Sequence, residues 1–172
     1  IAGCAALAGG AIYHASGDRA AVTNGAFVSG NTAVLFGGGM AAEGGASVVY
    51  SAGAVITGNA APYGGGAAIV GGAILSLTNS TVSSNTAAPL SQPAGPGSGG
   101  GLYLGGAASA ATITYTTVAG NAAGTSGGGL EVADSSVVTV ANRSHTPVTT
   151  SCCCGSCCAC DCCRWRCACG DG

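Results

Sequence analysis

The chain has 172 residues, a formal net charge of −2 and 33 glycines, and only 6% of its residues are charged, against about 25% in ordinary domains. That length allows one domain with a real core, while the shortage of basic residues excludes the electrostatic footprint of nucleic-acid binding and of attraction to an anionic membrane. Ala is the commonest of the apolar residues, and Gly, Asn, Ser and Thr interrupt every apolar stretch, so no spanning helix is predicted despite a hydrophobic share of 48%.

Residues 1–8 read as an incomplete first coil. The chain opens at Ile1 with no initiator Met and no basic-then-apolar leader, which is expected of a piece of a longer or processed chain. From residue 9 to 144 the sequence is a repeat of about 27 residues, the signature of a stacked array. Runs of three glycines stand at Gly37, Gly38, Gly39, at Gly64, Gly65, Gly66, at Gly99, Gly100, Gly101 and at Gly127, Gly128, Gly129, with a shorter form at Gly9–Gly10. Asn31, Asn59, Asn85 and Asn121 follow the preceding run by 19 to 21 residues. Three positions before each Asn is Val28, Ile56, Val82 or Val118, and two after it is Ala33, Ala61, Ala87 or Ala123.

Between these markers apolar residues alternate at period two, as in Leu75 and Leu77, Ile113 and Tyr115, and Val138 and Val140. That is strand periodicity. The pattern predicts an all-β fold, a right-handed parallel β-helix or solenoid of about five coils, about 24 Å long at about 4.8 Å per coil. The β-branched positions point inward. The Gly runs are turns with positive φ and close coil-to-coil approach, and they lack the Lys-Ser/Thr of a phosphate loop. The four Asn form a structural ladder, because charged or aromatic neighbours that would make them a ligand row are missing. A loop insertion spans 88–98, where three prolines and two glycines leave the coil.

Gly9-Gly-Ala-Ile12, Gly71-Gly-Ala-Ile74 and the Val/Ile-x-x-Asn steps resemble the repeats of the chlamydial polymorphic outer-membrane proteins, and more widely those of right-handed parallel β-helix (pectin-lyase-like) repeat proteins. That family usually has Phe where this chain has Val or Ile. The resemblance covers about residues 9–144. It implies a surface-exposed β-helix of an extracellular or cell-surface protein, in the family carried by a C-terminal barrel that is not seen in this sequence.

Catalysis on such a scaffold needs gathered carboxylates. The repeat region offers Asp18, Glu43, Glu131 and Asp134 with Arg19, Arg143, His14 and His145, and between Gly44 and Leu130 there is no ionisable Asp, Glu, Lys, Arg or His. They read as solvated charges near the ends, with Glu43 out of phase with Glu131. The expected role is therefore a structural or adhesive module without catalysis or cofactor. Its expected partners are cell-surface glycans or proteins and neighbouring coils of a longer chain. The alternative is a polysaccharide-binding or polysaccharide-cleaving protein whose active coils lie outside this sequence. Asn79 and Asn142 begin glycosylation acceptor patterns in one outward phase.

Residues 145–172 form a Cys-rich tail, expected to lie outside the fold and to lack strands. Three readings stand for it: disulfides; a thiolate metal cluster using Cys157, Cys158, Cys160, Cys162 and Cys163; and a reading-frame slip from an Ala-rich frame.

Overall fold

The computed structural model describes residues 1–15, 17, 19–22, 25–45, 47–50, 53–88, 97–141 and 166–168. Every regular element among them is a strand. The chain order begins with β1 (Ala5–Ala8), β2 (Ile12–His14), β3 (Arg19–Val22) and β4 (Phe27–Ser29). It continues with β5 (Thr32–Phe36), β6 (Met40–Glu43), β7 (Ser47–Tyr50) and β8 (Val55–Thr57). Next come β9 (Ala60–Ala61), β10 (Ala67–Val70), β11 (Ile74–Thr78) and β12 (Thr81–Ser83). After them run β13 (Thr86–Ala87), β14 (Leu102–Gly105), β15 (Ala110–Thr114) and β16 (Thr117–Ala119). The last are β17 (Ala122–Ala123), β18 (Leu130–Val132), β19 (Val137–Ala141) and β20 (Arg166–Ala168).

Pairing steps by four. The sheets run β1-β5-β9-β13-β17, β2-β6-β10-β14-β18, β3-β7-β11-β15-β19 and β4-β8-β12-β16, with β20 added at the β19 edge. All pairs are parallel except β19 with β20, which is antiparallel. This is an all-β structure of parallel sheets, compatible with a β-helix or solenoid. Register is in phase with the repeat: Val28 opposes Ile56, Ile56 opposes Val82, and Val82 opposes Val118.

These four residues are buried, and with Met40, Ile69, Leu75, Leu77, Leu102 and Leu104 they fill the core. Each fully buried aliphatic contributes about 1.5–3 kcal/mol. β11 shows why the sequence takes this form. Leu75 and Leu77 are buried while Ile74 is exposed and Ser76 half-buried, so one strand face meets the core and the other meets solvent.

Two features differ from the alternation read in the sequence. Tyr115 is exposed, not inward, because β15 ends at Thr114 and Tyr115 takes φ 48°, which breaks the period-two geometry and turns the ring outward. In β6 and β10, Met40, Ala41, Ala42 and Ala67, Ala68, Ile69 are all buried. Both faces are covered there because the bend before each strand folds back over it: a Cβ at Gly37 would lie 2.8 Å from the Ala41 Cβ.

The three glycines of a run serve different ends. Only the first carries positive φ, at 68°, 63°, 68° and 60° for Gly37, Gly64, Gly99 and Gly127. The second abuts the backbone of the next repeat: a Cβ at Gly65 would collide with Thr86 and Gly100. The third seats the Asn side chain, for a Cβ at Gly66 would lie 3.0 Å from Asn85 Nδ2.

The insertion is shorter than 88–98. The Ala88 N–H donates to Ala61 O at 3.0 Å, the Ser98 N–H to Pro62 O at 3.0 Å, and Gly97 O accepts from the Thr125 N–H at 2.9 Å. Those residues therefore belong to the ladder, and the intervening 89–96 lie outside the described residues. The tail also differs from expectation at three residues, since Arg166, Cys167 and Ala168 pair with Thr139, Val138 and Val137. A strand edge offers unpaired N–H and C=O groups, and β20 takes up those of β19.

Candidate functional site

The repeated Asn residues form one continuous line of amides. Asn59 Oδ1 accepts from the Asn31 N–H and from Asn31 Nδ2, both at 2.9 Å. Asn85 Oδ1 accepts the same pair from Asn59 at 3.0 Å, and Asn121 Oδ1 the same pair from Asn85 at 2.9 Å. The second hydrogen of each amide goes to a carbonyl of the preceding block: Asn59 to Val28 O, Asn85 to Ile56 O and Asn121 to Val82 O. Cys4 stands where the next Asn would be, and its N–H donates to Asn31 Oδ1 at 3.0 Å. Asn31, Asn59 and Asn85 are buried, so these bonds replace water that cannot reach them. From Asn31 to Asn85 the amide hydrogens are taken up by the neighbouring Asn and by backbone carbonyls.

The ionisable residues are placed less simply than solvated end charges. Glu43 is exposed, and its Oε2 accepts the Tyr13 phenol proton at 2.8 Å; this raises the Tyr13 pKa above its ordinary value, with the hydrogen bond as the main cause. Asp134 is exposed at φ 53° and its Oδ2 accepts from the Gly106 N–H at 3.1 Å. Glu131 is the correction. It is 7% exposed, and its Oε2 has no hydrogen-bond partner. Burial pushes its carboxyl above the usual carboxylate range, against the pull of a Ser126 hydrogen bond.

Glu131 stands in register with Tyr103 on the outer face of β14 and β18. Beside them runs a second line, Tyr63 to Ser98 to Ser126, joined by isolated parallel bridges. The Tyr63 and Tyr103 rings lie 5.3 Å apart at 54°, within the range of favourable aromatic pairs. The Tyr103 ring leans over Gly105, where a Cβ would come 2.6 Å from its edge. Burial, then Asp134, Tyr63 and Glu131, raise the Tyr103 phenol pKa. Glu43 sits two positions further along its strand than Ala41, the residue in the Tyr103 and Glu131 line, so the register keeps it out of this group.

The chain matches no family model, no curated protein and no solved structure. What it can do is therefore argued from these side chains. Asn142, Asp18, Arg143, His145 and the cysteines Cys157, Cys158, Cys160, Cys162 and Cys163 lie outside the described residues. Asn79 is exposed just after β11 at φ 48°. Among the described residues no three His, Cys, Asp or Glu gather to hold a metal, and no helix is long and apolar enough to cross a membrane.

The tyrosine–glutamate corner was not read from the sequence, although its signal is there. Aligning Gly99-Gly-Gly-Leu-Tyr103 with Gly127-Gly-Gly-Leu-Glu131 puts Tyr and Glu side by side. Its consequence for stability has a definite sign. The folded-state pKa of Glu131 is raised, so the folded form holds the proton more tightly, and stability declines as pH rises from its ordinary value of 4.5 through the raised folded value. Melting curves between pH 4 and pH 7 should show less of this decline in Glu131→Gln than in wild type. Parallel curves for the two proteins would refute the buried carboxylate.

Proposed function

We propose that this chain is a right-handed parallel β-helix of about five coils, acting as a structural or adhesive module of an exported, surface-exposed protein. The carrying observation is the continuous Asn line. Polar groups that repeat from coil to coil hold the coils together, each Asn Oδ1 from Asn31 to Asn121 accepting from the backbone N–H of the preceding member. The backbone ladders run alongside it, and the long acid-free stretch between Gly44 and Leu130 leaves an uncharged lateral surface. Such a rod presents the same chemistry at each step, which suits contact over an extended area with cell-surface glycans or proteins. No catalytic role is assigned to it.

The experiment uses beads coated with the full chain and intact cells. Saturable bead attachment, competed by soluble chain, is the expected result; attachment no better than that of albumin-coated beads would sink the adhesive reading. Reducing ends released from a polysaccharide panel would favour a polysaccharide-cleaving protein instead.

A further inference from the structure

Asn79 opens the acceptor pattern Asn79-Ser80-Thr81, and its place in the fold sets it apart from the asparagine ladder. Asn31, Asn59 and Asn85 are buried and bonded to one another. Asn79 is exposed at the turn between β11 and β12, with φ 48°. Its backbone is held from both neighbouring layers: the Gly53 N–H donates to Asn79 O at 2.7 Å, and the Asn79 N–H donates to Thr114 O at 3.1 Å. On the first side stands a glycine, so no side chain crowds the amide from that layer. On the other side stands Tyr115, which is 49% exposed. Tyr115 follows Thr114 as Asn79 follows Thr78, and those two threonines are register partners whose hydroxyls lie 3.0 Å apart. Tyr115 also has φ 48°. The two turns therefore repeat one another, and the Asn79 and Tyr115 side chains leave the rod from successive layers, about 4.8 Å apart.

We propose that Asn79 carries an N-linked glycan and that the first sugar of that glycan packs against the Tyr115 ring. The donor is an oligosaccharide joined to a lipid pyrophosphate in the export compartment. Asn79 Nδ2 attacks the anomeric carbon, the C–O bond to the pyrophosphate breaks as the C–N bond forms, and lipid pyrophosphate leaves. The amide gives up one proton to the transferase. Transfer comes before folding is complete, because Ser80 is buried in the finished rod. After folding, the turn directs the glycan outward, and the exposed phenol ring supplies an apolar face for the apolar face of a pyranose. The proposal rests on the reading of the chain as an exported surface module and adds a covalent group to that surface.

The test directs the full chain through a eukaryotic secretory pathway behind a cleavable leader, with Asn142→Gln so that one acceptor pattern remains. Peptide mapping reads position 79 in secreted and retained chain alike. A glycan on Asn79 in most molecules is the expected result, and an unmodified Asn79 overturns the site. The ring contact is read from the melting temperatures of this chain, Asn79→Gln, Tyr115→Ser and the double variant. The same four proteins made in a bacterial cytoplasm lack the glycan and supply the baseline, which removes any cost of Gln at a positive φ. Beyond that baseline, Asn79→Gln should lower the melting temperature, and should lower it less when Tyr115 is Ser. Equal lowering in both backgrounds, or none beyond baseline, overturns the contact with Tyr115. Bead attachment by the bacterial protein tests the surface reading separately, so that reading can stand where the glycan site fails.

Discussion

Val82→Asp should unfold the chain or lower its melting temperature by roughly 10 °C or more. Val82 is 0% exposed and stacked between Ile56 and Val118, with aliphatic neighbours throughout the core. A carboxylate there has neither cation nor donor, so it must protonate or be hydrated, at a cost of several kcal/mol. In a domain of this size about 1 kcal/mol moves the midpoint by about 2–4 °C. Thr86→Asp is the control, because Thr86 is exposed one strand later, and a surface change of this kind stays within about 0.5 kcal/mol. Thermal denaturation of both variants checks the pair. Equal melting points would mean that the inward line is wrongly placed.

Asn59→Ala should cost about 3–5 kcal/mol, more than any single hydrogen bond suggests. The Asn59 side chain accepts from the Asn31 N–H and Nδ2 and donates to Val28 O and Asn85 Oδ1. Truncation removes four bonds and leaves the Asn31 N–H buried without a partner, and each orphaned group costs about 1–3 kcal/mol. Asn121→Ala should cost less, since Asn121 is only half-buried. Urea denaturation measures both. A loss below about 1 kcal/mol at Asn59 would show that water replaces the amide.

Much of the architecture is legible in the residues because the repeat announces its own register. Aligning the Gly runs and the Asn positions superimposes Val28, Ile56, Val82 and Val118, and they do oppose one another in adjacent strands. The alternation of β11 is equally plain. Tyr115 misled because its apolar ring continues the period, whereas the left-handed backbone after Thr114 is a local choice that side-chain type does not encode. The burial of Ala41 and Ala68 on the outer face depends on how tightly the glycine bend folds back, a matter of backbone path. A solvated charge is the expectation for Glu131 because carboxylates are almost never buried unpaired. Only the positions of Tyr103 and Ser126 around it show otherwise. The strand at Arg166–Ala168 follows from the open edge of β19, which no periodicity in the tail reveals.

The Asn side chains pair from one parallel strand layer to the next, and side-chain hydrogen exchange reads them one by one. In 15N-labelled protein each side-chain NH2 group of Asn59 and Asn85 has two acceptors, one for each proton, within 3.0 Å in a buried line. Their exchange should be slowed to the rate of global unfolding, with the Asn31 and Asn59 backbone N–H groups equally protected. The exposed Asn79 amide in the same sample should exchange freely. If the Asn59 and Asn85 side chains exchange as fast as Asn79, the ladder is absent and the stacked-coil structure is wrong.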